Sequence, residues 1–200
     1  MSRDVVQEII DYPNEERHIE IKQDMKWGGN NKAKIAKHIF AMANLRDGGW
    51  IVIGKTEQPN KTFTKTGMSQ ENFDSYDPDH VKAYAYSHAE PPIIFEVHKK
   101  DESGLKIVVF EIQGFRDTPI ICKKTEGNIL QKGDMYVRSK GMPESVKVQN
   151  YTEMKEIIDI AIDNGLQNLF SRLRFVGINF QAVPEITDRS RYDQEAQDII

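Results

Sequence analysis

A single cysteine, Cys122, in 200 residues leaves no disulfide framework and no cysteine-rich zinc site. It reads as a small core residue in a reducing, cytoplasmic setting. No apolar run approaches the roughly 18 residues that cross a bilayer, so no membrane partner is expected. The opening MSRDVVQEIIDYP also lacks the apolar centre of a signal peptide. The histidines at 18, 38, 80, 88 and 98 form no H-x-H or H-E-x-x-H pair, which argues against a histidine metal site. Internal repeats and low-complexity tracts are missing too. With 38% hydrophobic and 29% charged residues, what remains is a soluble globular chain, neither disordered nor fibrous.

The net charge of −4 argues against wholesale binding to nucleic acid, but it averages over strong blocks. Residues 22–65 carry nine basic and three acidic groups, and residues 105–150 carry eight and five. The stretches before, between and after them are acidic. A folded basic face is compatible with this pattern, and so is chance clustering on solvated surfaces.

Hydropathy patterning predicts a short helix over 4–10 and then a strand, His18-Ile-Glu-Ile-Lys22. In that strand Ile19 and Ile21 are expected to face the core and His18, Glu20 and Lys22 the other side. A helix follows from Lys32 to about Asn44, with Asn30 or Asn31 as its cap, and then a buried strand at Trp50–Ile53. Residues 55–78 read mostly as loop. A helix fits Asp79–His88, strands fit 93–98, 105–112, 120–123 and 135–138, and a long helix fits Thr152–Leu173. The fold class is therefore α+β, a mixed sheet with helices packed on it and a long C-terminal helix. Residues 1–175 form the expected domain, with 176–200 a tail or the start of a linker.

Gly49-Trp-Ile-Val-Ile-Gly54-Lys55-Thr56 satisfies the Walker A expression, but its context does not. A phosphate loop needs its strand before the first glycine and a helix after the Lys-Thr pair. Here the strand lies between the glycines and Pro59 follows, so no nucleotide cofactor is expected.

Glu20 and Lys22 form Glu-x-Lys on one strand face, a spacing that suits metal-dependent phosphodiester chemistry and equally a plain ion pair. Glu15 lies five residues upstream, and reaches the same side only if Pro13-Asn14 starts a bend. Glu57 follows the second strand, where loops commonly carry function. Lys32, Lys34 and Lys37 crowd the first half of a helix, where the macrodipole disfavours cations unless phosphates approach. Lys123, Lys124, Arg138 and Lys140 cluster around later strands. Arg138 suits either a bidentate phosphate contact or a carboxylate partner.

Taken in order, these motifs resemble the Schlafen AlbA-type domain family, described as DNA-binding in bacterial and archaeal regulators. The resemblance is carried by Glu15…Glu20-Ile21-Lys22, Ala41-Met-Ala-Asn44, Gly48-Gly49, the Trp50–Ile53 strand, Gly54 and Glu57. Pro91-Pro92, Pro119-Ile120 and Tyr136-Val-Arg-Ser-Lys-Gly141 complete it, over about residues 10–160. The chain departs from the family with Glu57 where aspartate is common, an added Leu45-Arg-Asp47, and Lys140 in the later motif. The resemblance implies a nucleic-acid-binding module, DNA or RNA, with lysines 32, 34, 37, 123, 124 and 140 and Arg138 on phosphates. Some relatives cleave structured RNA with a divalent metal. On that analogy Glu15, Glu20 and Glu57 would hold Mg²⁺ or Mn²⁺ and Lys22 would assist. A third reading is a non-catalytic interaction module that self-associates through the 152–173 helix.

Overall fold

Asp4 opens the first helix: its carboxylate accepts the Gln7 amide at 3.3 Å, satisfying one free N–H of α1, Val5–Asp11. In this computed structural model, which describes residues 4–102 and 104–178, the chain continues through β1 (Ile19–Lys22), α2 (Gly29–Ala43) and β2 (Gly49–Ile53). Then follow β3 (Lys55–Glu57), β4 (Phe63–Lys65), α3 (Gln70–Ser75), α4 (Pro78–His88) and β5 (Ala89–Glu90). The rest comprises β6 (Phe95–Glu102), β7 (Leu105–Ile112), β8 (Ile121–Cys122), β9 (Tyr136–Arg138), β10 (Ser145–Lys147) and α5 (Tyr151–Phe175). This is the α+β arrangement expected.

The main sheet has the order β1-β2-β7-β6. β1 and β2 are parallel and joined through α2, whereas β7 is antiparallel to both β2 and β6. Both faces of the sheet are covered. Ile51, Ile53, Val108 and Phe110 join the main core with α2, while Val52, Ile107 and Val109 pack under Ile10 of α1. The continuous apolar run of β2 follows from this double burial.

Ile19 and Ile21 of β1 are buried, as expected, but so is Glu20 on the other face. Glu20 lies opposite Ile51 in the register and so turns to the α2 side. Period-two alternation shows that two faces differ; it does not show that one of them is exposed. The glycine pair fits a tight junction. Gly48 has φ +75°, and a Cβ on Gly49 would meet the His18 carbonyl oxygen at 2.7 Å and Met42 Sδ closer still.

Three further expectations change. α2 starts at Gly29, with Gly28 as its cap and no side-chain capping bond, while Asn31 Nδ2 instead donates to the Lys26 carbonyl at 3.2 Å. Residues 55–78 hold the β3–β4 hairpin and α3, which Ser69 caps. The long turn-rich stretch hid strands of three residues, too short for periodicity to register. Strand β10 is likewise too short to stand out in the sequence.

The chain divides into two units, Met1–Asn164 and Gly165–Ile200. In the first, Ile157 and Ile160 of α5 are buried, whereas Ile158 and Ile162 are exposed. In the second, Leu166, Leu169, Phe170, Phe175, Val176 and Ile178 are exposed. Of the expected tail, residues 179–200 lie outside the described residues. No helix among the described residues is long and apolar enough to cross a membrane.

Candidate nucleic-acid interface

Glu20 is 2% exposed and Arg138 is 0% exposed, and the two are bound to each other. Lys22 pairs with the other carboxylate oxygen of Glu20, and His38 Nε2 lies 3.5 Å from that same oxygen. Arg138 spends its remaining donors on the Arg17, Glu16 and Pro143 carbonyls, at 3.0, 3.2 and 2.8 Å, and on Ser145 Oγ at 3.3 Å. Every guanidinium nitrogen thus has a protein partner, which is what a fully buried charge requires. Of the two roles open to Arg138, the structure shows the carboxylate partnership, and it leaves no exposed guanidinium for a phosphate.

Burial alone would raise the Glu20 carboxyl, but the charges beside it, Arg138 and Lys22 with His38 adding only when protonated, outweigh burial and hold it below the usual range. Burial also pushes the His38 imidazole down to about 3, against the pull of Glu20. His38 is therefore neutral at pH 7, where Arg138 and Lys22 carry the compensation. Its Nδ1 lies 2.8 Å from Ser145 Oγ, which links α2 to β10.

Glu15 reaches back along β1 because the chain reverses at Arg17-His18, where Glu16 and Ile19 pair antiparallel, rather than through a bend at Pro13-Asn14: its Oε1 accepts the Ile21 amide at 2.9 Å. Burial raises its carboxyl, and that amide bond only partly offsets the rise. Glu15, Lys22, Asp24, Glu57 and Phe63 line one cleft of about 410 Å³. Glu57 and Phe63 meet there because they are cross-strand partners in the β3–β4 hairpin. Glu20 does not line the cleft. Among the described residues no group of three or more His, Cys, Asp or Glu side chains is placed to hold a metal ion. As folded, the set of Glu15, Glu20 and Glu57 does not fit a shared Mg²⁺ or Mn²⁺, because Glu20 is already neutralised by Arg138 and Lys22.

Lys55, the Walker-like lysine, is 1% exposed, and its ammonium binds the Ile10 carbonyl at 3.0 Å and the Tyr12 carbonyl. It caps the end of α1, and β2 occupies the place a phosphate loop would need.

The α2 lysines separate. At 100° per residue Lys34 and Lys37 lie about 60° apart around the helix, with Lys32 about 140–160° from both. Lys32 sits over the Tyr84 ring at 5.9 Å. Tyr84 packs on His88 at 4.3 Å, and the His88 carbonyl accepts the Lys123 backbone amide at 2.8 Å. Lys34, Lys37, Lys123 and Lys124 have no acidic partner among the described residues, whereas Lys26, Lys65, Lys82, Lys106 and Lys147 are all paired. Lys140 pairs with Glu156 at 3.3 Å.

Arg17 and Arg46 stand out only in the structure. Arg17 grips Glu156 with both arms at 2.8 Å, and Arg46 binds Asp163 at 2.7 Å. Nothing in the spacing of isolated arginines in loops signals such a cluster; the partners lie 139 and 117 residues away. Asn44 is legible in the sequence only as a motif letter. It is buried, donates to the Ile120 and Tyr136 carbonyls at 3.0 and 2.9 Å, and accepts the Ile120 amide at 2.8 Å.

The Schlafen, AlbA_2 family model matches residues 15–147. The crystal structure of the DIP2311 protein from Corynebacterium diphtheriae is similar at 13% identity and a TM-score of 0.49, over 76% of this chain and 27% of that one. This chain thus spans about a quarter of the length of that protein. The solution structure of the N-terminal domain of a RecG-related protein from Nitrosomonas europaea is similar at 18% identity and a TM-score of 0.41, over 74% and 95%. No curated protein matches the chain.

Proposed function

The chain belongs to the Schlafen, AlbA_2 family, which gives it a general nucleic-acid-associated role, and from that premise we propose that it binds the phosphate backbone through lysines on and beside α2. The observation that carries this reading is that Lys34, Lys37, Lys123 and Lys124 have no acidic partner among the described residues, in a chain whose other lysines are mostly paired. Such an interface gives salt-dependent affinity with little sequence preference.

Lys34→Glu with Lys37→Glu should weaken binding to a labelled duplex or single strand. The slope of log affinity against log salt should fall by about 0.7–0.9 for each phosphate that a lysine no longer neutralises. Unchanged affinity in that double variant and in Lys123→Glu with Lys124→Glu would sink the reading.

One observation favours a second reading, a metal-dependent nuclease: Glu15, Lys22 and Glu57 share a cleft at the ends of the parallel strands. That reading requires Glu20 to leave Arg138. Cleavage of labelled RNA or DNA with Mn²⁺, lost on Glu20→Ala and on Glu57→Ala alike, would support it. Self-association through α5 is supported by its exposed Ile158 and Ile162, and in the second unit by Leu166 and Leu169. Ile158→Glu with Ile162→Glu should then lower the mass measured by light scattering to that of a single chain, and a wild type that is already a single chain would sink this reading.

A further inference from the structure

Two carboxylates of α5 occupy cationic groups that a phosphate could equally take. Glu156 is held by the fork of Arg17 and by Lys140, and Asp163 is held by Arg46. Glu156 and Asp163 are seven residues apart on one helix face, about 10.5 Å along the axis at 1.5 Å per residue. A two-armed Arg–carboxylate pairing has the geometry by which arginine holds a phosphate.

The surroundings suit the same ligand. Arg17, His18, Arg46, the glycine pair and Trp50 line a cleft of about 420 Å³ with Asp47 and Glu156, and Arg46 and Glu156 also line a neighbouring one with Lys140, Tyr151 and the Lys155–Asp159 pair. Trp50 is half-buried and Tyr151 is 78% exposed, so aromatic faces stand beside the cations. Bases stack on such rings while the backbone follows the charges. The ion pairs themselves are weakly held: Arg46 and Asp163 are nearly half exposed, and Arg17 and Glu156 a third and a quarter exposed. Solvent screens such pairs and makes them easy to exchange.

We infer that Arg17, Arg46 and Lys140 form a second phosphate-binding surface for nucleic acid, occupied in the free protein by the Glu156 and Asp163 carboxylates of α5. The inference rests on the nucleic-acid function proposed for the α2 lysines. The incoming strand exchanges one set of anions for another, so α5 acts as a built-in competitor and sets the affinity threshold. Anion release from the arginines needs no movement of the sheet.

The test compares the full chain with Glu156→Gln/Asp163→Asn by fluorescence anisotropy on labelled single-stranded and duplex oligonucleotides. A control, Asp74→Asn/Asp79→Asn, makes the same change of net charge on a remote surface. The α5 variant should bind about fivefold tighter or more, with a salt slope steeper by about 1.4–1.8 for two further phosphates neutralised. The control should change less than about twofold, and adding Arg17→Gln and Arg46→Gln together to the α5 variant should remove most of the gain. Asp163→Asn alone, at an exposed pair, gives the same sign should the double variant fold poorly. A gain equal to the control's, or one that survives loss of both arginines, would overturn the inference. Lower thermal stability with unchanged affinity would show the pairs to be purely structural and overturn it too. Wild-type binding that ignores all α5 variants sinks this inference alone, whereas no binding by any variant sinks the nucleic-acid reading with it.

Discussion

Glu20 carries the strongest chemical tension in the molecule, a carboxylate inside the core held by one arginine and one partly exposed lysine. Removing the arginine leaves that charge unpaired, and Arg138→Met should cost about 3–5 kcal/mol in denaturant unfolding. The pH dependence has a definite sign. Glu20 is lowered in the folded state, so its contribution is complete above the ordinary value of 4.5 and is lost as pH falls through the folded value. Glu156, held down by its Arg17 hydrogen bonds, behaves likewise. Glu15 is raised and works in the opposite sense, favouring the fold more once protonated. Between about pH 6 and about pH 3, Glu20→Gln should therefore lose less stability than the wild type, from a lower starting point. Equal losses in both chains would refute the assignment. Glu20 was visible in the sequence as half of Glu-x-Lys, and Arg138 as part of a later motif. That they neutralise each other was not visible, because a local spacing carries no information about a partner 118 residues away.

Among the elements, α1 is held by more than apolar packing. Lys55 binds its terminal carbonyls, Lys65 pairs with Asp11 at 2.6 Å, and Lys100 pairs with Asp4 at 3.2 Å. Burial lowers the Lys55 ammonium, so its carbonyl bonds offset a real desolvation cost. Lys55→Met keeps the stem and deletes those bonds. It should destabilise by about 1–3 kcal/mol, with amide exchange in α1 rising before exchange in β2 or β7. Uniform loss of protection across the sheet would argue against this anchoring role. Elements with a full period were legible in the sequence: α4 starts at Pro78, one residue before the expected Asp79, because Asp77 caps it, and α5 spans the expected long helical stretch. The β3–β4 hairpin, α3 and β10 were not, since three-residue strands owe their existence to tertiary partners rather than to their own pattern.

At the scale of the molecule, the basic blocks of the sequence do not map onto one uniform face. Among the described residues some of their cations are buried, some are paired with carboxylates, and others have no acidic partner. Composition located the positive charge; folding decided how much of it remains available. The same distinction separates two clefts at opposite ends of β1 and β2, one lined by Glu15 and Glu57, the other by Arg17 and Arg46.

The order in which these interactions can form follows from the long sequence separation of the Glu20–Arg138 pair. β1, α2 and β2 are near neighbours along the chain and can assemble early, with Glu20 still solvated. Arg138 arrives only when β9 docks, so closing water away from Glu20 belongs to the last step of folding. Arg138→Met should accordingly leave the refolding rate almost unchanged and accelerate unfolding, which stopped-flow chevrons would show. Slower refolding with normal unfolding would place the pair in the nucleus instead. The buried pair then acts as a kinetic lock on a sheet that is already built, setting how long the finished molecule lasts rather than how fast it is made.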